Sequence, residues 1–106
     1  MSWFGNLTEI DVERARKNKT YYEFLRVPAM SAGLYVTPAG AVDTQTPHHE
    51  DEIYYVVRGR ARFRAGEENR EVQPGSVLFV AAGVEHRFYD VEEELAVLVF
   101  FAPAES

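Results

Sequence analysis

The sequence predicts an all-β fold, a sandwich or a barrel, preceded by one short helix. Its 106 residues suffice for one domain with a single core. From residue 21 onward the chain consists of short runs rich in β-branched and aromatic residues, which favour strands. Proline and glycine interrupt these runs at regular short intervals, as is typical of a sandwich or barrel rather than of alternating helices and strands.

The helix is predicted over Asn6 to Lys17. Thr8 stands where an N-cap would lie, Asp11 follows three residues later, and basic residues gather toward the end of the segment, where the helix dipole favours them. Its apolar positions are sparse, so the helix should lie on the surface. We therefore expect a helical segment over residues 1–20 and a barrel domain over residues 21–106.

The β-domain is predicted to contain eight extended segments separated by turns at proline and glycine. They are Tyr21 to Val27, Ala32 to Thr37, Ile53 to Val57, Arg60 to Arg64, Arg70 to Gln73, Ser76 to Val80, His86 to Tyr89 and Leu95 to Ala102. The last segment is apolar at both alternating positions, so it should be covered on both faces. One cover is the core and the other is expected to be a second subunit, which makes the protein a homodimer.

A stripe of arginines alternates with small or apolar residues in the middle of the chain. Arg58, Arg60, Arg62 and Arg64 should therefore share one face of a strand. An anion-binding stripe is one interpretation. We favour the other, a solvated outer face paired with nearby acids.

Composition excludes several functional classes. The formal net charge of -6 disfavours binding to nucleic acid or anionic membranes. No apolar run approaches the roughly 20 residues that span a bilayer, and Met1 to Asp11 does not resemble a signal peptide, so a cytoplasmic protein is expected. The absence of cysteine rules out disulfides, thiolate nucleophiles and cysteine-based metal sites. Any metal must be bound by His, carboxylate, amide or water.

Residues of metal-ligand type stand in two blocks of the chain. If Thr46 to Val56 is extended, His48 and Glu52 lie on one face and His49 on the other. His86 begins another strand after a tight connection. If this face is the barrel interior, the two imidazoles and the carboxylate converge on a divalent-metal site. The alternative is an exposed acidic loop, with His86 an ordinary hydrogen-bonded residue.

The spacing in these blocks resembles the two motifs of the cupin superfamily. The first family motif is Gly, five residues, His, one residue, His, three or four residues, Glu, six residues, Gly. The second is Gly, five residues, Pro, one residue, Gly, two residues, His, three residues, Asn. The matching positions here are Gly40, Thr46, His48, Glu52 and Gly59, then Gly75, Ala81, Gly83, His86 and Asp90. The resemblance implies a small single-domain cupin with a double-stranded β-helix, or jelly-roll barrel, of the RmlC-like kind.

Three positions depart from the family pattern. Ala81 replaces Pro and Asp90 replaces Asn, changes that affect a turn and a hydrogen bond. Thr46 replaces the first His, which is a metal ligand in the family. A weak hydroxyl ligand is possible there, but we expect Gln45, or a water molecule, to fill the fourth ligand position instead.

Carried over residue by residue, the resemblance implies that His48, Glu52 and His86 bind one divalent transition metal ion, Fe, Mn, Ni, Cu or Zn. This ligand set leaves coordination positions open, as a catalytic metal requires. It favours a non-haem dioxygenase acting on a small organic substrate. The alternatives are a metal-dependent isomerase and a non-catalytic module that binds or senses a small ligand or a metal, which the loss of the first His favours.

Aromatic residues are expected to line the cavity beside the metal. Tyr54 and Phe88 share strand parity with Glu52 and His86, and Tyr35 and Phe100 are placed on neighbouring strands. The alternative is that these four aromatics form ordinary barrel core. An aromatic pocket suits a small phenolic, ketone or diketone-like molecule.

Overall fold

The computed structural model describes residues 1–44 and 46–106, so the predicted ligand Gln45 lies outside the described residues. One helix and six strands follow in chain order over these residues. They are α1 (Leu7–Arg16), β1 (Tyr21–Val27), β2 (Met30–Thr37), β3 (Asp51–Ala65), β4 (Glu68–Val72), β5 (Val77–Val80) and β6 (His86–Ala102). The all-β class with a short N-terminal helix is confirmed.

All strand pairings are antiparallel, in the order β1-β2-β6-β3-β4, with β5 added along the first half of β3. The two long strands β3 and β6 pair with each other along most of their length. The first half of β3 also pairs with β5 and its second half with β4. The sheet curls at this change of partner and closes around one core, as a jelly-roll barrel does.

Each long strand joins two segments that the sequence predicted as separate. Register shifts interrupt the β3 and β6 pairing between Val56 and Arg62, which marks bulges rather than chain breaks. Gly59 lies there with φ of +94°, and a Cβ at this position would collide with the carbonyl of Glu94. In β6 the corresponding irregular residue is Asp90, with φ of +48°.

The bulges change which side of each strand faces the core. In β3 the buried residues change from even to odd numbers around Gly59, and in β6 the same change occurs around Asp90. The buried side chains that face the core are Glu52, Tyr54, Val56, Ala61 and Phe63 in β3, and His86, Phe88, Val91, Leu95, Val97, Val99 and Phe101 in β6; Ala96 is also buried, but under the helix. The inner faces of both halves therefore contribute to one core. The aromatic rings of Tyr54, Phe63 and Phe88 meet at its centre.

Helix α1 covers part of the outer sheet face. Leu7 and Ile10 pack against a small buried cluster of Leu34, Val36 and Ala96. Asn6, whose side chain accepts a hydrogen bond from the Thr8 N–H, is the N-cap, so the predicted cap at Thr8 is corrected by two residues. An Asn side chain preceding the helix caps it as well as a Thr.

Beside the helix, the outer side of β3, β5 and β6 carries an apolar patch whose residues are exposed or half-buried. Ile53 faces Phe79 and Phe100 on the strands beside it, while Tyr55 faces Val77 and Leu98. Val77 and Phe79 are 66% and 64% exposed. We call Ile53, Tyr55, Val77, Phe79, Leu98 and Phe100 the outer apolar face. No helix within residues 1–44 and 46–106 combines the length and apolar character needed to cross a membrane.

The arginine stripe lies on the outside of the barrel, where Arg58 and Arg62 pair with acids and Arg64 donates to the Gly66 carbonyl. Arg58 contacts Glu94 at 2.8 Å and Asp11 of α1 at 3.2 Å, which ties the helix to the sheet. Arg62 contacts Glu71 at 3.6 Å.

Candidate metal centre

Three of the predicted ligands come together inside one end of the barrel. Single ligand atoms of His48, Glu52 and His86 all lie within 4.8 Å of one another. Glu52 is near the start of β3 and His86 begins β6, and both side chains are 1% exposed. His48 lies in the irregular segment between β2 and β3, with 17% of its side chain exposed.

Hydrogen bonds between loops bring His48 to the strand residues. The Gly83 N–H donates to the His48 carbonyl at 2.8 Å. The Ala82 N–H donates to Asp51 Oδ1 at 2.9 Å, just before Glu52. The connection preceding β6 therefore holds the His48 segment and the start of β3 at one place. Gly83 has φ of +81°, a conformation that glycine adopts without strain.

A buried aspartate fixes the same segment from further upstream. Asp43, 6% exposed, accepts a hydrogen bond from the Phe88 N–H at 2.8 Å. This bond to a charged acceptor in a buried place is stronger than an ordinary backbone bond. It anchors the irregular segment against β6, two residues from His86.

His86 is held by both ring nitrogens. Its Nδ1–H donates to the Val84 carbonyl at 2.9 Å, which leaves Nε2 directed toward Tyr54 Oη and Glu52 Oε1, each 3.1 Å away. Burial alone would lower the pKa of His86, but the Glu52 contact and the Val84 carbonyl raise it above the ordinary value. A backbone carbonyl that fixes the imidazole in this way is common for metal-binding histidines.

The Glu52 carboxylate fits a cation. Oε1 lies 3.1 Å from His86 Nε2, whereas Oε2 has no hydrogen-bond partner among the described residues. A buried carboxylate lacking hydrogen bonds is costly. Two imidazoles and a carboxylate are ligands for a divalent transition metal, so the residues present fit such an ion.

His48 lies between an aromatic ring and a carboxylate. Phe101 presents an edge-to-face contact to the imidazole with ring centroids 4.9 Å apart. Glu105 Oε2 lies 3.2 Å from Nδ1. Burial, with neighbouring Glu50 and Glu52, raises the pKa of Glu105, while His48 lowers it. The imidazoles of His48 and His86 are 5.4 Å apart between centroids.

A small cavity of about 170 Å³ adjoins this cluster inside the barrel. We call it the inner cavity; its lining consists of Tyr21, Tyr35, His48, Tyr54, Val99, Phe101 and Glu105. Tyr35 and Tyr54 thus lie where the sequence placed them. Phe88 instead packs in the fully buried core.

Phe100 does not line the inner cavity, and Phe101 occupies the place expected for it. The parity that brings His86 and Phe88 inward is reversed beyond the bulge at Asp90. Phe100 consequently pairs with Ile53 on the outer apolar face.

The residues around His48 follow the predicted alternation only in part. His49 is exposed and Glu50 is buried, as alternation predicts, and Glu50 accepts a hydrogen bond from the Ser106 N–H. Thr46, which the same alternation places on the face of His48, is instead exposed, because regular β-structure begins only at Asp51.

Four lining residues of the inner cavity were not predicted from the sequence: Tyr21, Val99, Phe101 and Glu105. Tyr21 has a buried hydroxyl without a hydrogen-bond partner in the part of the chain described here, and its ring occupies the space beside Gly33. The tyrosine at the start of β1 could have been found from alternation. Glu105 follows the last strand, and no local pattern predicts its contact with His48.

A second opening, the outer groove, reaches His86 from solvent. It has a volume of about 530 Å³, and its lining includes Asp43, Thr44, Arg64, Glu85 and Arg87. The cluster is therefore approached from two sides, by a small enclosed space and by a wider polar groove.

Known proteins match this chain over the segment that contains the strands of this site. A family model described as "Cupin domain" matches residues 33–102. An uncharacterised protein of Streptomyces coelicolor is 49% identical over 100 residues, 94% of this chain and 95% of the relative. The structure of KdgF from Halomonas sp. is 26% identical with a TM-score of 0.72, over 78% of this chain and 76% of that one. A Thermus thermophilus structure, 23% identical, gives a TM-score of 0.77 over 95% of this chain and 97% of that one.

Proposed function

This chain belongs to the cupin family, and from that premise we propose that it binds one divalent transition metal ion, Fe, Mn, Ni, Cu or Zn, through His48, Glu52 and His86. The observation that carries the proposal is the convergence of three ligand atoms within 4.8 Å around a buried carboxylate whose Oε2 has no hydrogen-bond partner among the described residues. A divalent cation would compensate this buried charge.

The proposed activity is that of a non-haem dioxygenase acting on a small organic substrate. Two His and one carboxylate leave coordination positions open, as in the facial triad of non-haem iron oxygenases. A bound ion supplies Lewis acidity and, if it is redox-active, access to O₂ chemistry. The same ligand set would also serve a Lewis-acid isomerase.

The residues of the inner cavity limit the substrate. A cavity of about 170 Å³ compares with the engineered apolar cavity of about 150 Å³ that binds benzene, so the substrate is small. Val99 and Phe101 form an apolar part of the cavity wall. The carboxyl group of Glu105 disfavours an anionic ligand. Burial and the nearby charge of Glu105 raise the pKa of Tyr21 far above its ordinary value. Its hydroxyl therefore stays protonated and donates to a substrate oxygen, as suits a small ketone, diketone or phenol.

Metal content tests this proposal. Protein expressed with added metals and purified without chelators should contain about one transition metal ion per chain by elemental analysis, while His86→Ala and Glu52→Ala should contain little. His49→Ala is the matched control, because His49 is exposed and adjacent to a ligand. Metal-free wild-type protein under these conditions would overturn the proposal.

A non-catalytic binding module is the second candidate function. The observation that favours it is Thr46, which is exposed and stands where the family has its first His ligand. Iron-loaded protein incubated with a panel of diketones and catechols should consume O₂ if it is a dioxygenase. Substrate binding without O₂ consumption or product would favour the module.

The proposed assembly is a homodimer formed through the outer apolar face. Helix α1 covers β2 but leaves Ile53, Tyr55, Val77 and Phe79 exposed in one continuous patch. Contiguous apolar surface of this kind is typical of subunit interfaces.

A further inference from the structure

His48 is the ligand whose position the sheet does not determine. Glu52 and His86 belong to strands β3 and β6, whereas His48 lies in an irregular segment and is the most exposed of the three. A ligand on such a segment needs another contact to hold its ring in a productive orientation.

We propose that Glu105 is that contact, a positioning residue that holds the His48 imidazole by Nδ1 so that Nε2 is the metal ligand. The inference rests on the metal binding proposed above. The carboxylate lies 3.2 Å from His48 Nδ1. Metal-binding histidines commonly donate their second ring N–H to a carboxylate or a backbone carbonyl, which sets the tautomer and the ring orientation.

The backbone around Glu105 is itself held in place. The Glu105 N–H donates to Ser31 Oγ at 2.9 Å, and Ser31 is completely buried. The Arg26 guanidinium donates to the Glu105 carbonyl. The next residue, Ser106, donates its N–H to Glu50 Oε2 at 3.1 Å. These contacts with three parts of the barrel position the carboxylate before any ion binds.

The His48 ring is also restrained on another side. Phe101 contacts it edge to face, with an angle of 65° between ring planes. His86 is held in the equivalent manner, because its Nδ1–H donates to the Val84 carbonyl and its Nε2 faces Glu52. The two imidazoles would then present the same nitrogen to the ion, one fixed by a backbone carbonyl and the other by Glu105.

The test measures Zn²⁺ affinity and the absorption spectrum of bound Co²⁺ for Glu105→Ala, Glu105→Gln and a control, Glu23→Gln. Glu23 pairs with Arg26 near Glu105, so the control removes a nearby charge without touching His48. We expect Glu105→Ala to weaken Zn²⁺ binding about 10- to 100-fold and to alter the Co²⁺ spectrum. Glu105→Gln, whose amide oxygen still accepts from Nδ1–H, should recover most of both, and the control should match wild type.

The outcomes separate this inference from the proposed function. Wild-type protein that binds neither Zn²⁺ nor Co²⁺ would overturn both. Tight, stoichiometric wild-type binding with an unchanged affinity and spectrum in Glu105→Ala would overturn the role of Glu105 alone. Circular dichroism of the metal-free variants checks folding. If Glu105→Ala is unfolded, Glu105→Met, which fills similar space but has no acceptor oxygen, takes its place. Weaker Zn²⁺ binding and an altered Co²⁺ spectrum in Glu105→Met would then support the role, and wild-type affinity and spectrum would contradict it.

Discussion

The two nitrogens of His86 have different roles. Nδ1 is engaged by the Val84 carbonyl, and Nε2 faces the Glu52 carboxylate and the Tyr54 hydroxyl. A proton on Nε2 would compensate the Glu52 carboxylate, and this contact raises the pKa of His86 despite its burial. A metal ion would take the place of that proton.

This arrangement makes the stability of the metal-free protein depend on pH. The folded state holds the His86 proton more tightly than an unfolded chain, in which His titrates near pH about 6.5. The contribution of protonated His86 to the free energy of unfolding is therefore fully present below that pH. It is lost as the pH rises through the raised pKa of His86 in the folded state. We expect the free energy of unfolding of chelator-treated protein to decrease as the pH rises above about 6.5, measured by denaturant titration.

The variant His86→Gln should lack this part of the pH dependence. His49→Gln, which alters an exposed histidine, should retain it. Equal slopes in wild type and His86→Gln would contradict the assignment to His86.

Alternation along a strand was enough to predict some site residues. Glu52 and Tyr54 are buried and Ile53 and Tyr55 are exposed, as their spacing indicates. The same alternation selected His48 over His49, although His48 lies outside the strands. Glu105 could not be predicted, because its contact joins residues that only the closed barrel brings together.

At the level of elements, a left-handed residue in each long strand decides which side faces the core. Gly59 in β3 and Asp90 in β6 both have positive φ, and the buried positions change parity around each. Asp tolerates this conformation nearly as well as Asn, so Asp90 preserves the backbone geometry at the position where the family motif has Asn. Beyond Asp90 the odd-numbered residues of β6 face the core, so Phe101 faces inward and Phe100 faces outward.

Gly59→Ala tests the importance of the β3 bulge. The added Cβ would meet the Glu94 carbonyl and require an unfavourable φ, so we expect the free energy of unfolding to fall by about 3 kcal/mol or more. Gly66→Ala is the matched control, since Gly66 also has positive φ but open space around it. That variant should lose only about 1 kcal/mol, as measured by urea denaturation. Equal losses would show that crowding at the bulge is unimportant.

At the scale of the whole molecule, the helix and the outer apolar face share one side of the barrel. The prediction that β6 is covered on both faces is met partly within the chain, because α1 packs over Ala96. Leu98 and Phe100 lie beyond the helix and pair with Tyr55 and Ile53. The sequence could indicate that a second cover was needed but could not indicate how much of it α1 supplies.

The homodimer proposal predicts the mass in solution. Light scattering should give twice the chain mass of 12.1 kDa for wild type and about one chain mass for Phe79→Lys, because a charge at the centre of the interface would be buried without a partner. Val12→Lys, at an exposed apolar position on α1, should remain dimeric. A monomeric wild type would contradict the proposal, and the metal content of the Phe79→Lys monomer should not change.

We propose that one ion is bound jointly by His48, Glu52 and His86. Anomalous diffraction from crystals of the metal-loaded protein tests this joint binding most directly. The expected map has one strong peak inside the barrel, about 2.0–2.2 Å from an imidazole nitrogen of each histidine and from a Glu52 oxygen. Metal bound only elsewhere, or a peak that one of these three side chains does not contact, would contradict it.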